Sequence, residues 1–461
     1  MTTEKGPMGG ADNEKKPDDQ KKLVIDEQNR VQVIVELTKP KTADRSAMSL
    51  AQGLNQQGFE LDTEYGSIPM TPTSQELARS LDSKGLDIVL VRGKIDKNKI
   101  KDLEAQPNVV KVWEDTAGIR PFEENDSNFV QKISVATGPC PIPPCDCSPG
   151  TPKGTIMDVA NYLGVNAIHA DGIKGQNIVV AVQDGGITAV DRTINSSDTS
   201  NANWPDKLIP NVIDGSRADW GTTGVDWGWH GNMCATDVLG MAPEAKLYDL
   251  RITDDTLSSA LANFQWAIDR HRVDGTPHII TNSWGYFQRE WDPDYTTNPN
   301  HPVTRKVIEA IDEGIIVLFA AGNCGGNPCA DNRCSSDTGT GKDIWGPNGH
   351  KRVMTVAAVN KNEDYVGYSS CGPAALDPDK PDFTSVTHFT GYFNSDSGTS
   401  AATPIAAGVS ALLKQASPSL TQDQAKDVLM ATAKDKGPSG WDIFLGAGII
   451  QAKAAYDNVM K

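Results

Sequence analysis

No stretch of this chain reaches the roughly 20 consecutive apolar residues that a helical membrane span needs. The longest apolar run, Ile315 to Ala321, has the length of a buried strand. The opening, MTTEKGPMGGADNEKKPDDQKK, lacks the apolar core of a Sec-type signal peptide. The expectation is therefore a cytoplasmic protein, or one that reaches the extracellular space without such a leader. Positive charge is also in deficit. Lys and Arg number 43 against 60 Asp and Glu, a formal net charge of −17. Such a chain should be soluble and a poor binder of nucleic acid or anionic membrane, so neither is expected as a partner. No internal repeat is present. The eight cysteines match no zinc spacing. They are free thiols in a reducing compartment or disulfides in an oxidising one, with a metal site as a third option.

What is present points to several units, because 461 residues are too many for one ordinary core. Residues 1–29 are polar, mixed in charge and aperiodic, and read as a disordered tail. Residues 30–122 read as a small α+β unit. Strands are expected at Val31–Leu37, Asp87–Val91 and Val109–Trp113, with a helix over Ser74–Leu81 and another capped by Asp96 and running to Ala105. Residues 123–153 are rich in Pro, Gly and Cys. They read as an exposed linker of the kind that proteases cut. Across 154–461 apolar strands alternate with helices, including strands at Asn177–Val182, Ile279–Asn282 and Ile315–Ala320 and helices at Ser258–Arg270 and Thr304–Glu313. That alternation predicts an α/β fold with a mostly parallel sheet covered on both faces.

Four short motifs in this large unit fall where a parallel sheet presents residues to ligands. An apolar strand ends in Asp184-Gly185-Gly186, which holds a carboxylate at the strand edge. His230-Gly231 precedes a helix of small residues. Ala320-Ala321-Gly322-Asn323 follows a buried strand and places a side-chain amide at its end. Gly398-Thr399-Ser400-Ala401-Ala402-Thr403-Pro404 opens a small-residue helix at Ser400. There the unsatisfied N–H groups and the helix dipole favour negative charge. Each motif alone has an ordinary explanation: an Asp-Gly turn, a core histidine, a loop asparagine, an N-cap serine. Together they follow the chain order Asp…His…Ser, which separates one class of serine peptidase from two others.

On these residues the region from about 155 to 457 resembles the subtilase catalytic domain. Ala167–Gly175, Gly240–Tyr248, Asn282-Ser283-Trp284-Gly285 and Gly446–Ile450 resemble further segments of that family. The resemblance implies a subtilisin-like three-layer domain and a serine endopeptidase. Asp184, His230 and Ser400 would form its triad and Asn323 its oxyanion donor. Peptide substrate would add as a strand beside Ser283, Trp284 and Gly285, with Ala320, Ala321 and Gly322 on one wall of the adjoining pocket. Insertions at 286–303 and 324–349 would frame the cleft. Residues 30–122 resemble the family's inhibitory prodomain, which implies a self-processing zymogen cut within about 122–153. Its partners would then be protein or peptide substrates and its own prodomain.

The match has departures. His230-Gly231-Asn232-Met233-Cys234-Ala235-Thr236 lacks the second His and final Gly of the family run. Cys234 resembles the cysteine of the proteinase K and kexin branches, which implies sensitivity to mercurials. The short step from His230 to Gly240 leaves no room for the calcium loop often found there. No cofactor is required on this reading, and calcium is left open without an assigned site. Two rival readings are a peptide-binding scaffold without activity and an enzyme dedicated to one partner protein.

Overall fold

A computed structural model describes residues 20–41, 47–122, 133–134, 139–194, 207–224, 226–326 and 328–461. Residues 1–19 of the expected tail, and 123–132 and 135–138 of the expected linker, lie outside the described residues.

The N-terminal unit is an antiparallel sheet built around the strand Arg30–Pro40. Leu86–Asp96 pairs with it along its whole length, from Arg30 opposite Asp96 to Pro40 opposite Leu86. Val109–Glu114 pairs on its other side. Glu60–Leu61 and Ile68–Met70 pair with the far edge of Leu86–Asp96. The run Val-Gln-Val-Ile-Val-Glu-Leu is nearly all apolar because both faces are covered. Val31, Val33, Val35 and Leu37 pack on Ala51, Leu54, Phe59 and Leu103 of their own unit. Ile34, with Leu90 and Trp113, joins a core shared with the large domain. The period of two in a strand thus divides one element between two cores. The expected helix over Ser74–Leu81 spans Gln75–Lys84. Ser74 is its N-cap and Gly85 its left-handed C-cap. Asp96 caps a short 3₁₀ turn, Lys97–Lys99, that leads into the helix Ile100–Glu104.

Among the described residues, the core of the large domain is a run of seven parallel strands. Their order is Val212–Gly215, Lys246–Arg251, Val179–Asp184, Ile279–Asn282, Ile316–Ala320, Met354–Asn360 and Phe383–Thr387. The helices His230–Met241 and Gly398–Ala416 cover one face, against Val180, Val182 and Leu318. Leu257–Asp274 and Pro302–Asp312 cover the other, against Val179, Ala181 and Val317. This is the expected three-layer α/β arrangement. Small residues let the first two helices touch: a Cβ on Gly408 would lie 2.7 Å from both Met241 Cβ and Val238 O. Among the described residues no helix is long and apolar enough to cross a membrane.

Two expectations need correction. The tail is structured from residue 20 onward. Gln32 N donates to Val24 O, Ala117 N to Lys22 O, and Lys22 N to Trp291 O, so this segment bridges both units. Residues 139–153 are not an exposed linker. Cys145–Asp146 pairs with Tyr365–Val366 as the last strand of the large sheet. Disulfides Cys140–Cys145 and Cys147–Cys329 fasten the segment, and Cys324–Cys334 closes a nearby loop. Cys234 and Cys371 are buried thiols. Among the three states left open for the cysteines, six are therefore disulfides.

Candidate active site

Asp184 is the last residue of its strand, and its carboxylate accepts from the Gly185 amide at 2.8 Å. His230 is the first residue of its helix. Trp229, at φ 70°, turns the chain into it. Both carboxylate oxygens of Asp184 lie 2.9 Å from His230 Nδ1, in a buried setting. The imidazole therefore donates from Nδ1, which leaves Nε2 available to take a proton. Among the described residues, Nε2 has no hydrogen-bond partner. Cys234 follows one helical turn on, with Sγ 3.6 Å from Asp184 Oδ2 and 3.8 Å from His230 Nδ1. Burial, reinforced by Asp184, pushes its thiol well above the usual range.

Ser400 does not cap its helix. The helix begins at Gly398 after Ser397, so Ser400 lies in the first turn. There the N–H groups have no intrahelical acceptor. Gly398 N donates to the Tyr368 hydroxyl at 3.0 Å. Thr399 N donates to Asn323 Oδ1 at 3.1 Å, and the Thr399 hydroxyl donates to the same oxygen at 3.1 Å. These two bonds fix the asparagine amide with its NH₂ turned outward. The Ser400 hydroxyl donates to Ser283 O at 3.1 Å, while the Ser283 hydroxyl donates to Ser400 O at 2.9 Å. The structure thus joins Asp184 to His230, and Ser400 to Ser283. It shows no hydrogen bond between His230 and Ser400.

The cleft is filled by the chain itself. Arg120–Pro121 pairs antiparallel with Trp284–Gly285, and Phe122 N donates to Ser283 O at 3.2 Å. Ile119 N donates to Asp255 O, and Arg120 pairs with the Asp255 carboxylate at 2.6 Å. Arg333 Nη1 donates to Pro121 O at 3.1 Å, which brings one expected framing insertion onto the segment. The other insertion meets it through Tyr286, whose ring would lie 2.5 Å from a Cβ on Gly118. Asn323 Nδ2 donates to the carbonyl oxygen of Phe122.

Phe122 is 2 % exposed. It abuts Gly285 and Gly322 and meets Phe287 edge-on at 5.2 Å. Asn348 ties the two walls of this pocket by donating to Trp284 O and Ala320 O, both at 2.9 Å. Ala321 N donates to Val356 O, and Gly322 N to Thr399 Oγ1 at 3.1 Å. Trp284 offers only backbone to the cleft, since its ring packs on Phe319 in the core. Sequence reasoning ended the N-terminal unit at residue 122 but gave Phe122 no role. It also passed over Thr399, Asn348 and Phe287. The sequence signal for Phe122 was the apolar Pro-Phe pair just before the acidic Glu123-Glu124-Asn125-Asp126.

A strand-end carboxylate on a histidine, a serine in a helix's first turn and an outward amide over a bound carbonyl together make the architecture of an acyl-transfer site. The pattern of the family described as the subtilase family (Peptidase_S8) matches residues 175–448, and this chain belongs to that family. It is 25% identical over 363 residues to the minor extracellular protease Epr of Bacillus subtilis (strain 168), a match spanning 78% of this chain and 48% of that protein. It is 28% identical over 304 residues to subtilisin DY of Bacillus licheniformis, covering 64% of this chain and 96% of that one. Among solved structures, fervidolysin from Fervidobacterium pennivorans, a keratinolytic enzyme related to subtilisin, shares the fold with a TM-score of 0.56 at 17% identity. That match covers 93% of this chain and 61% of fervidolysin.

Proposed function

We propose that the chain is the zymogen of a serine endopeptidase that cleaves itself between Phe122 and Glu123. The observation that carries this reading is Phe122, which follows the strand pair in the cleft, with its N–H on Ser283 O and its carbonyl held by the Asn323 amide. The Ser400 hydroxyl leaves Ser283 O and bonds to the Phe122 carbonyl carbon as its proton passes to His230 Nε2. Asp184 holds the imidazole tautomer and stabilises the imidazolium. Negative charge gathers on the carbonyl oxygen, between Asn323 Nδ2 and the Ser400 N–H. The bond to the Glu123 nitrogen then breaks, with the proton passing from His230 to that leaving amine. Water finally hydrolyses the Phe122 ester.

After the cut, the N-terminal unit acts as an inhibitor that still occupies the cleft. Protein substrates take the same path, adding a strand to Trp284–Gly285 and placing an apolar side chain between Gly285 and Gly322. Three disulfides suit an oxidising compartment better than the cytosol, so the working site is outside the cell. The acidic charge argues against nucleic acid or anionic membrane as partners.

The test is mass spectrometry of the purified protein beside its Ser400→Ala variant. Wild type is expected as two fragments with a new end at Glu123, and the variant as one uncut chain. A variant cut at the same rate would refute self-processing. Failure of the wild type to take up a fluorophosphonate on Ser400 after removal of the N-terminal unit would refute the peptidase.

A further inference from the structure

A second Asp–His pair lies outside the site described above. Asp146 Oδ2 accepts from His388 Nδ1 at 2.8 Å. His388 Nε2 lies 2.6 Å from the Tyr368 hydroxyl. That hydroxyl accepts from the backbone amide of Gly398, the first residue of the Ser400 helix. His388 and Tyr368 are fully buried, and Asp146 is nearly so. The donors run in one direction. With the Gly398 amide donating to the phenol oxygen, the phenol proton points to His388 Nε2, and the Nδ1 proton points to Asp146. The backbone of Tyr368 also meets the loop that follows Asn323. Its carbonyl accepts from Gly325 N at 2.9 Å, two residues beyond Asn323.

We infer that Asp146, His388 and Tyr368 form a buried positioning relay. Through it, the segment just downstream of the cleavage point holds the start of the Ser400 helix in register with Asn323. The inference rests on the reading of Ser400 as nucleophile.

Three features favour a positioning role over simple core filling. The first is where the relay ends. Within the first turn, Gly398 N is taken by Tyr368 and Thr399 N by Asn323, so the pair leaves Ser400 N for the oxyanion. The phenol thus acts as the helix cap that Ser397 does not supply. The second is how Asp146 is anchored. Its second oxygen accepts from Ser148 N at 2.9 Å, Asn360 Nδ2 donates to Oδ2 at 2.9 Å, and Lys153 Nζ stands at 3.8 Å. The strand pairing of Cys145–Asp146 with Tyr365–Val366 puts the carboxylate beside the turn that carries Tyr368. The disulfide Cys147–Cys329 ties the same segment to the loop that follows Asn323. The third is His388 itself. Its φ of 58° is unusual for a residue other than glycine, and its carbonyl accepts from Lys153 N at 2.7 Å. The chain is turned there to aim the ring between two partners.

A hydroxyl, an imidazole and a carboxylate acting in series should be energetically coupled, whereas independent packing contacts should add. The test uses the full-length chain, self-processed and then freed of its N-terminal unit, with active sites counted by fluorophosphonate titration and steady-state kinetics on a peptide substrate. Tyr368→Phe keeps the ring and deletes only the hydroxyl. Asp146→Asn keeps the shape and removes the charge. Each is expected to lower kcat per titrated site by about tenfold with KM nearly unchanged, and the double variant to lose about tenfold, not a hundredfold. His388→Asn, which suits the left-handed backbone and can still reach Asp146 but not Tyr368, should match Tyr368→Phe. Losses that multiply, or a normal kcat per titrated site in both single variants, would overturn the relay. If Tyr368→Phe does not fold, Asp146→Asn and His388→Asn form the cycle in its place. A wild type that takes up no fluorophosphonate would instead refute the peptidase reading beneath it.

Discussion

The side-chain amide of Asn323 donates to the carbonyl oxygen of Phe122, 201 residues earlier in the chain, while Thr399 holds the amide's own oxygen from its backbone and its hydroxyl. One end of the side chain is thus fixed by the Ser400 helix, and the other faces a peptide carbonyl. The amide is set in place before any charge develops, which is what transition-state stabilisation by a fixed dipole requires.

Replacing Asn323 by Ala should lower kcat with little change in KM, because the lost bond strengthens as the oxyanion forms. The expected loss is about 10²–10³-fold, the figure already known for the oxyanion asparagine of a subtilisin. Kinetics on the processed enzyme check it. A raised KM with kcat unchanged would mean that Asn323 only binds substrate.

Pocket shape gives a second prediction. A Cβ on Gly285 would lie 2.6 Å from Phe122 Cζ and 3.0 Å from Asn348 Nδ2. Gly285→Ala should therefore slow self-cleavage after Phe122 and reduce kcat/KM for Phe relative to Ala at that substrate position by about tenfold or more. Phe122→Ala in the same chain should restore processing. A peptide library cut by both enzymes reads the outcome, and an unchanged preference would remove Gly285 from the pocket wall.

The third prediction concerns the seam between the units. Glu36 accepts from Trp113 Nε1 at 2.8 Å and from Arg305 Nη1 at 2.6 Å, all of it buried. Arg305 also donates to Thr71 O, and Lys306 to Pro69 O at 2.6 Å. Glu36→Ala would strand the guanidinium and should destabilise the uncut Ser400→Ala precursor by about 3–5 kcal/mol. Replacing both Glu36 and Arg305 with Met should recover most of that, since no lone charge then remains. Denaturant melts of the three precursors decide it. A double variant as weak as Glu36→Ala would show that the charge itself is needed.

Acid should loosen the same seam. His301 packs edge-on against Trp113, with ring centroids 5.1 Å apart, and its Nδ1 caps the helix Pro302–Asp312 by accepting from Val303 N. Burial, followed by Arg305 and Lys21, pushes its imidazole down to about 3. An unfolded histidine titrates near 6.5. Between those values the unfolded chain binds a proton that the folded chain does not. Its contribution to stability is therefore intact above about pH 6.5 and falls with acid, by up to about 1.4 kcal/mol per pH unit. His301→Asn keeps a capping oxygen and cannot titrate there. The Tm of its Ser400→Ala precursor should fall less steeply from pH 6.5 to 4 than that of the parent. Parallel curves would exclude His301 as the source.

Much of this protein was legible in its residues. Continuous apolar strands between helices required a parallel sheet buried on both faces, and the chain order of Asp184, His230 and Ser400 named the class, because each motif carries its own local geometry. The small side chains after Ser400 required a helix packed close to its neighbours. Tertiary structure alone decided the rest. Nothing near Phe122 says that its carbonyl meets Asn323, nor near Cys147 that it meets Cys329, since such contacts depend on how distant segments pack and not on local pattern. The disordered tail and the exposed linker were misread in part for the same reason. Their polar, Pro-rich stretches have no periodic signal, yet backbone bonds from residues 22–24, and the strand pairing of Cys145–Asp146 with the disulfide Cys147–Cys329, hold them to surfaces that exist only in the folded chain.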